Sequence, residues 1–254
     1  MTRVIKKSKD FIKLRNGKFF SNKSVGYIPT MGALHQGHIA LIKKSLKQND
    51  ITVVSIYINP TQFDNPDDLK KYPDTFNQDL QILKKLKVDY LFHPNYSEIY
   101  PDNYNYRIIE TDFSKKLCGK FRPGHFDGVL TVVMKLLNIV KPDKAYFGEK
   151  DYQQLQLVRG MAKAFFLDTK IISHPTVRTK DGLALSSRNL RLNEEQLKVA
   201  PEFNRLLKSK LPINEIKSQL ENIGFKVEYI EKINNRIFGA VYLGNIRLID
   251  NVKI

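Results

Sequence analysis

The sequence predicts an α/β protein with a doubly wound parallel sheet and a second, smaller α+β domain at its C-terminal end. Two observations predict this fold class. Up to residue 176, apolar runs of strand length alternate with amphipathic segments of helical period. From residue 177 onward, a polar loop leads into helices that are followed by three strand-like runs. We therefore expect one domain over 1–176 and another over 177–254.

The first domain shows the alternation throughout its length. Its early strand-like runs are SVGYI, ITVVSIYI and VDYLFHP, separated by the helix-like segments GHIALIKKSLKQ and TFNQDLQILKKLK. A long amphipathic segment, FDGVLTVVMKLLNIV, then precedes the strand KAYFG, a helix from about Tyr152 to Phe166 and the strand KIISHP. Right-handed crossovers between such strands place helices on both faces of the sheet.

The second domain begins with the loop TKDGLALSSRNLRL. One helix is predicted near Glu194 to Ser209 and another near Asn214 to Ile223, and the runs FKVEYIEKI, RIFGAVYLG and IRLID are predicted strands. No low-complexity linker separates the domains, so a short hinge is expected between them.

Composition narrows the class of protein. With 254 residues, 42% hydrophobic and 11% aromatic, the chain can bury a large core. Its one cysteine, Cys118, excludes an internal disulfide and a Cys-x-x-Cys site, and is predicted to be a small buried apolar residue. Neither a signal peptide nor a run of the roughly 20 apolar residues that span a bilayer is visible, which predicts a cytoplasmic protein.

The formal net charge of +16 favours anionic partners such as nucleic acids, membranes or phosphorylated substrates. The lysines are scattered over nearly every predicted helix, which favours a solvated cationic surface over a nucleic-acid stripe. We expect neither a membrane nor a specific nucleic acid as partner. A basic nucleic-acid-binding module, motivated by charge alone, stays open as the alternative from another class.

The polar segments that follow the predicted strands contain the candidate site residues, because ligands of open α/β sheets bind beyond the carboxyl ends of the strands. These segments are Pro29 to His38, Asn59 to Phe63, Gly148 to Asp151 and Pro175 to Arg178.

His35 and His38 lie three residues apart where a helix opens, so their imidazoles are expected on one side of it. A helix N-terminus attracts phosphate through its backbone N–H groups and its dipole, and two imidazoles add further donors. A zinc site would need a third ligand and usually a His-Glu-x-x-His pattern, which is missing. Two loop histidines without a role stay possible on this segment alone.

The other segments also offer suitable groups. Asn59 and Gln62 suit the hydroxyls and carboxylate of a polyhydroxy acid. Lys150 supplies a point charge for phosphate. Arg188, beside two serines, offers a planar fork for a triphosphate. An Asn-Pro turn, a charged loop leading into a helix and a serine-rich N-terminal loop are the structural alternatives for these three segments.

Taken together, the segments PTMGALHQGH, INPTQF, FGEKDYQQLQLVRGM and VRTKDGLALSSRNLRL resemble the pantothenate synthetase family of pantoate–β-alanine ligases. The first contains the His-x-Gly-His signature of the nucleotidyltransferase superfamily. The resemblance covers essentially the whole chain, including RLIDN near its end. It implies a Rossmann-like nucleotide- and pantoate-binding domain and a small lid domain.

The resemblance implies ATP-dependent condensation of pantoate with β-alanine through a pantoyl-adenylate, with Mg²⁺ accompanying ATP. The implied catalytic residues are His38, His35, Lys150 and Arg188. The implied ATP contacts are Met31, Gly32, Ala33, Leu34, His35, Gln36, Gly37, His38, Gly148, Glu149, Lys150, Asp151, Val177, Leu185, Ser186, Ser187 and Arg188. Gln62, Gln154 and Asn59 are implied as pantoate ligands, and Gln62 also as a β-alanine ligand.

Further expectations follow from the family. Asp79 is the implied Mg²⁺ ligand, although Gln78 stands where many relatives have an acidic residue. Thr61 replaces a common methionine beside pantoate. Family members are commonly homodimers, which predicts a homodimer here. A different adenylyl- or cytidylyltransferase is the alternative within enzymes.

Overall fold

The computed structural model describes residues 2–254, which divide into two compact units. The first unit runs to Gly148 and includes Gln153–His174, and the second comprises Glu149–Tyr152 and Pro175–Ile254. The division therefore falls two residues before the expected boundary. The short segment Glu149–Tyr152 also belongs with the second unit, because Asn251 donates to its backbone and Phe238 packs near Tyr152.

The first unit is built on a six-stranded sheet in which every neighbouring pair is parallel, as predicted. Its strands are β1 (Arg3–Ile5), β2 (Val25–Thr30), β3 (Ile51–Ile56), β4 (Tyr90–Phe92), β5 (Lys144–Gly148) and β6 (Lys170–His174), in the order β1-β4-β3-β2-β5-β6. β1 was not among the predicted strands. Three residues are too few to show a period, and pairing of Arg3 with Tyr90 defines the strand instead.

Helices cover both faces of this sheet, which confirms the doubly wound fold. They are α1 (Ser8–Arg15), α2 (Gln36–Gln48), α3 (Pro66–Lys70), α4 (Phe76–Lys85), α5 (Tyr96–Ile99), α6 (Cys118–Phe121), α7 (His125–Val140) and α8 (Tyr152–Ala164). Ile42 of α2 and Leu83 of α4 pack with Leu91 on one face. The next residue, Phe92, points to the opposite face, where its ring lies 5.2 Å from that of Phe11 in α1.

The strand order creates a switch point beside β2, which pairs with β3 on one side and β5 on the other. Chain connections run in opposite directions from this point, and that leaves a crevice at the carboxyl ends of the strands. The segments that follow Thr30, Ile56 and Gly148 start at this edge of the sheet.

The second unit contains a three-stranded antiparallel sheet with helices packed against it. Its helices are α9 (Glu194–Val199), α10 (Pro201–Leu207) and α11 (Ile213–Asn222), and its strands are β7 (Lys226–Ile233), β8 (Arg236–Leu243) and β9 (Ile246–Lys253). The prediction of one helix over Glu194 to Ser209 is wrong. Pro201 starts a new helix because proline has no N–H to donate and clashes with the preceding turn.

Two smaller predictions concern apolar segments and the cysteine. Among residues 2–254, no helix is long and apolar enough to cross a bilayer. Cys118 is buried at the start of α6, as predicted, with 8% of its surface exposed.

Candidate active site

The loop after β2 is held in an unusual backbone conformation by one buried carboxylate. Gly32 and Ala33 both have left-handed backbones, with φ of 83° and 50°. The carboxylate of Asp79 in α4 accepts hydrogen bonds from the backbone N–H of Ala33 at 2.9 Å and of Leu34 at 2.8 Å. Thr75 donates to the same carboxylate at 3.0 Å. These bonds offset the strain of a non-glycine residue in the left-handed region.

The two histidines lie side by side at the start of α2. His35 is the N-cap residue, and its Nδ1 accepts from the backbone N–H of Gly37 at 3.1 Å. The Nδ1 of His38 accepts from the backbone N–H of His35 at 3.4 Å, and the ring centroids are 4.1 Å apart. Because Nδ1 is the acceptor in both rings, each neutral imidazole carries its proton on Nε2. The pair therefore presents two N–H donors at a helix N-terminus, the arrangement that suits a phosphate.

Asp79, the implied Mg²⁺ ligand, does not fit direct coordination. It is buried, with 2% of its surface exposed, and its two carboxylate oxygens already accept from three donors. Within residues 2–254, no cluster of three or more His, Cys, Asp or Glu side chains can hold a metal ion. A cation that travels with the phosphates of its nucleotide needs no such cluster.

Asn59 and Gln62 meet at the carboxyl end of β3. The Nδ2 of Asn59 donates to the Oε1 of Gln62 at 2.9 Å and to the carbonyl of Gly128 at 3.2 Å. Its Oδ1 accepts from Thr61 at 3.0 Å and from the hydroxyl of Tyr100 at 2.9 Å. The amide of Asn59 thus uses both donors and both acceptor positions inside the protein. Because the Oε1 of Gln62 accepts from Asn59, the NH₂ group of Gln62 lies on the side of its amide away from Asn59.

The residues that surround Asn59 also have their polar groups hydrogen-bonded within the protein. Burial raises the pKa of Tyr100, which keeps its hydroxyl protonated as a donor. Gly128 of α7 lets the helix approach the turn, because a Cβ there would lie 2.4 Å from the carbonyl oxygen of Thr61. The hydroxyl of Thr61 also contacts Tyr100, at 3.2 Å. The threonine that replaces the family's methionine is therefore part of a polar network.

His125 lies against the backbone of Gln62, in the segment RPGHF that resembles a family loop over the active site. Its Nδ1 lies 2.7 Å from the carbonyl oxygen of Gln62, and Arg122 donates to that oxygen at 3.2 Å. Arg122 also forms an ion pair with Asp64 at 2.6 Å. Both residues flank the Pro-Gly turn before α7, and the sequence resemblance pointed to Arg122 in this segment without naming His125.

The two glutamines at the start of α8 have different environments. Gln153 is buried and bonds to the backbone of Phe113, Lys116 and Cys118, which makes it structural. Gln154, the implied pantoate ligand, is only half-buried.

At the end of β5, a Cβ placed on Gly148 would meet no atom within 4 Å. The space beside Gly148 is therefore open to a ligand.

In the second unit, Lys150 lies in a short 3₁₀ turn over Glu149–Asp151. Its Nζ is 3.6 Å from the carboxylate of Asp151. Asn251 of β9 donates to the carbonyl oxygens of Glu149 and Lys150, both at 2.9 Å. The side chain of Asn251 thus stabilises the turn through hydrogen bonds to the backbone of the turn.

The serine segment of the same unit follows a narrow hairpin. The backbone N–H of Leu185 donates to the carbonyl of Val177 at 3.0 Å. Ser186 caps the 3₁₀ turn Ser187–Arg191 by accepting from the backbone N–H of Arg188 at 3.3 Å. Ser187 is buried, with 7% of its surface exposed, whereas Ser186 and Arg188 are half-buried. The segment therefore leaves Ser186 and Arg188 partly exposed.

Part of the positive charge lines a groove beside β1 and α1. This groove has a volume of about 760 Å³, and its basic residues are Arg3, Lys6, Lys7, Lys13 and Lys18, accompanied by Asp10. In the part of the chain that the structure describes, its lining includes none of the residues implied to bind ATP or pantoate. The groove is therefore a feature separate from the predicted site.

Comparison with known proteins identifies relatives of this chain. Residues 3–253 match the model of the family described as pantoate-beta-alanine ligase. The chain is 50% identical to a pantothenate synthetase of Bdellovibrio bacteriovorus over 100% of both chains. A pantoate-beta-alanine ligase of Francisella tularensis, solved with beta-gamma ATP and beta-alanine, has a TM-score of 0.95 and 46% identity, covering 100% of this chain and 98% of that one.

A pantothenate synthetase structure from Thermus thermophilus has a TM-score of 0.89 and 34% identity, with 99% of each chain covered. The match to the family model extends over both units and includes every residue implied above to bind ATP or pantoate. This chain belongs to the pantoate–β-alanine ligase family.

Proposed function

We propose that this chain condenses pantoate with β-alanine, using MgATP, to give pantothenate, AMP and pyrophosphate. The observation that carries the proposal is the histidine pair at the start of α2, whose Nδ1 atoms both accept backbone hydrogen bonds. Membership of the family over residues 3–253 supports the choice of substrates, as does the Francisella tularensis relative solved with an ATP and β-alanine.

In the first step, a carboxylate oxygen of pantoate attacks the α-phosphorus of ATP. A new O–P bond forms, the bond from the α-phosphorus to the bridging oxygen breaks, and pyrophosphate leaves with the electron pair. Negative charge grows on the oxygens around the α-phosphorus, where the Nε2–H groups of His35 and His38 would donate. Lys150 and Arg188 are the proposed cationic partners of the phosphates.

In the second step, the amine of β-alanine attacks the carbonyl carbon of the pantoyl-adenylate. The amide bond forms, the bond from the carbonyl carbon to the AMP oxygen breaks, and the nitrogen releases its proton to solvent. Gln62 and Gln154 are proposed to position pantoate, and Gln62 also β-alanine. Because the amide of Asn59 is saturated within the protein, we propose that Asn59 acts on pantoate through the orientation of Gln62.

Mg²⁺ enters the proposal as part of the nucleotide substrate. It generally takes few protein carboxylates and keeps several waters, so phosphate oxygens and water can supply its ligands. The remaining ATP contacts proposed from the family are the backbone of Met31 to Gln36, Gly37, Gly148 to Asp151, Val177 and the segment Leu185 to Ser187. Three further predictions remain. Light scattering would check the homodimer, and cell fractionation would check the location in the cytoplasm. Hydrogen exchange with and without nucleotide would check closure of the second unit as a lid.

The proposal is tested by AMP formation from ATP and Mg²⁺, with pantoate, β-alanine, both or neither. AMP that accumulates catalytically only with both substrates supports the ligase. A rate of AMP formation that does not depend on β-alanine would instead indicate another nucleotidyltransferase. His38→Ala should lower kcat by about 100-fold or more, the usual cost of removing one donor to a developing anion. Lys47→Ala, which changes an exposed residue in the last turn of the same helix, serves as the control.

A further inference from the structure

Two neighbouring residues of β9, Asp250 and Asn251, contact the two segments of the second unit that carry proposed ATP ligands. Both are buried, each with 4% of its surface exposed. Successive residues of a strand point to opposite faces of the sheet, so this dipeptide reaches in two directions. Buried polar side chains need partners, and here the partners are the Lys150 turn and the hairpin that leads to Ser186.

On one face, Asn251 acts on the Lys150 turn. Its Nδ2 donates to the carbonyl oxygens of Glu149 and Lys150, both at 2.9 Å. Its Oδ1 accepts from Arg236, whose guanidinium lies 3.8 Å from the ring centroid of Tyr152, the residue that follows the turn. Two carbonyls of the turn and the aromatic ring next to it are thereby held by one cluster.

On the other face, Asp250 acts on the hairpin. Its carboxylate accepts two hydrogen bonds from Arg178, at 2.6 and 2.8 Å, one from Asn204 at 2.8 Å, and one from the backbone N–H of Asn251 at 2.7 Å. Arg178 also donates to the carbonyl of Gly182 at 3.1 Å and pairs with Ala184 across the hairpin. The Arg178–Asp250 pair therefore closes the hairpin from Val177 to Leu185 onto β9.

We infer that Asp250 and Asn251 are positioning residues for ATP: Asn251 fixes the Lys150 turn, and Asp250 fixes the hairpin before Ser186. This inference rests on the proposed function, since it assigns the two residues a role toward the proposed ATP ligands. The register of β9 determines which of the two segments each side chain contacts. A shift of β9 by one residue would send each side chain to the wrong face and release both segments.

The test uses the full chain with Asn251→Asp and Asp250→Asn. Asn251→Asp keeps the acceptor for Arg236 but replaces the two N–H donors by a carboxylate oxygen that repels both carbonyls. Amide hydrogen exchange, measured without nucleotide, should accelerate in residues 149–152 for Asn251→Asp and in residues 178–186 for Asp250→Asn, by about fivefold or more in each case. The KM for ATP should rise by about tenfold, as expected when one hydrogen bond to a charged group loses its geometry, while the KM for β-alanine stays within about twofold.

Glu228→Gln is the matched control, because Glu228 of β7 pairs with Arg247 in the same sheet, at 3.1 Å from its Nε, and contacts neither segment. It should leave exchange in both segments and the KM for ATP unchanged. Unaltered exchange and KM in the β9 variants would overturn the inference even with a fully active ligase. A wild type that forms no β-alanine-dependent AMP would overturn the proposed function, while the exchange result would still report whether the segments are held.

Discussion

Each unit holds a segment with proposed ATP ligands by a buried aspartate, but the hydrogen-bond donors that the held segment itself supplies differ in kind. In the first unit, Asp79 accepts from the backbone N–H groups of Ala33 and Leu34. In the second, the hairpin supplies only the side chain of Arg178 to Asp250, whose other donors, the Asn204 side chain and the backbone N–H of Asn251, lie outside the hairpin. A backbone donor is present whatever residue occupies the loop, whereas a side-chain donor depends on the identity of its residue.

This difference decides how each anchor can fail. The loop before His35 loses its anchor mainly when Asp79 changes, or when the left-handed backbone at Gly32 becomes costly. The hairpin before Ser186 can be released from either end, through Arg178 or through Asp250. The predictions below exploit this contrast, from the largest expected change in the free energy of unfolding to the smallest.

Asp79→Ala should cost about 3 kcal/mol of folding free energy, because two backbone donors lose their acceptor in a buried site. It should also lower kcat/KM by about 100-fold, since His35 and His38 follow the released loop. Chemical denaturation and the AMP assay measure the two effects. The Mg²⁺ concentration that gives half-maximal rate should stay as in the wild type. A marked increase in that concentration would mean that Asp79 is a metal ligand and not an anchor.

Breaking the Arg178–Asp250 pair should cost about 2 kcal/mol, less than the roughly 3–5 kcal/mol of fully buried pairs, because the Arg178 side chain is 19% exposed. A double-mutant cycle with Arg178→Met and Asp250→Asn isolates the interaction. We expect a coupling energy of about 1.5 kcal/mol, since either change alone removes the bidentate contact. Additive effects would show that the two side chains stabilise the hairpin independently.

Gly32→Ala should cost about 1.5 kcal/mol, because an alanine is strained at φ of 83° and its Cβ would lie 3.1 Å from the Asp79 carboxylate. Activity should fall as well. Gly224→Ala is the control, with φ of 101° and no neighbouring atom within 4 Å of the added Cβ. It should lose stability by backbone strain while keeping the KM for ATP. Equal kinetic effects in the two variants would show that the loss of activity in Gly32→Ala comes from backbone strain in general and not from the loop before His35.

Gly148→Ala should change the free energy of unfolding by less than about 1 kcal/mol, because the added methyl group meets no protein atom within 4 Å and φ is not left-handed. If ATP lies against this backbone, as the family implies, the methyl group should raise the KM for ATP several-fold. Thermal denaturation and initial rates measure the two effects. An unchanged KM would remove Gly148 from the proposed ATP site.

Periodicity in the sequence was sufficient to predict most of the fold, because long strands and helices repeat their apolar positions. It could not find β1, whose three residues are defined by pairing with β4, and it passed over the break at Pro201. In the candidate site, helical spacing correctly placed His35 beside His38. The roles of Asp79 and Asn59 could not be read in this way, since they depend on contacts with Leu34 and Tyr100 that are distant in the chain.

The most direct test of the account follows the oxygen of the pantoate carboxylate. Pantoate labelled with ¹⁸O in its carboxyl group is converted with ATP, Mg²⁺ and β-alanine, and the products are analysed by mass spectrometry. Attack of the carboxylate on the α-phosphorus predicts one ¹⁸O atom in AMP and none in pyrophosphate. AMP without the label would contradict the pantoyl-adenylate, and with it the role proposed for the histidine pair at the start of α2.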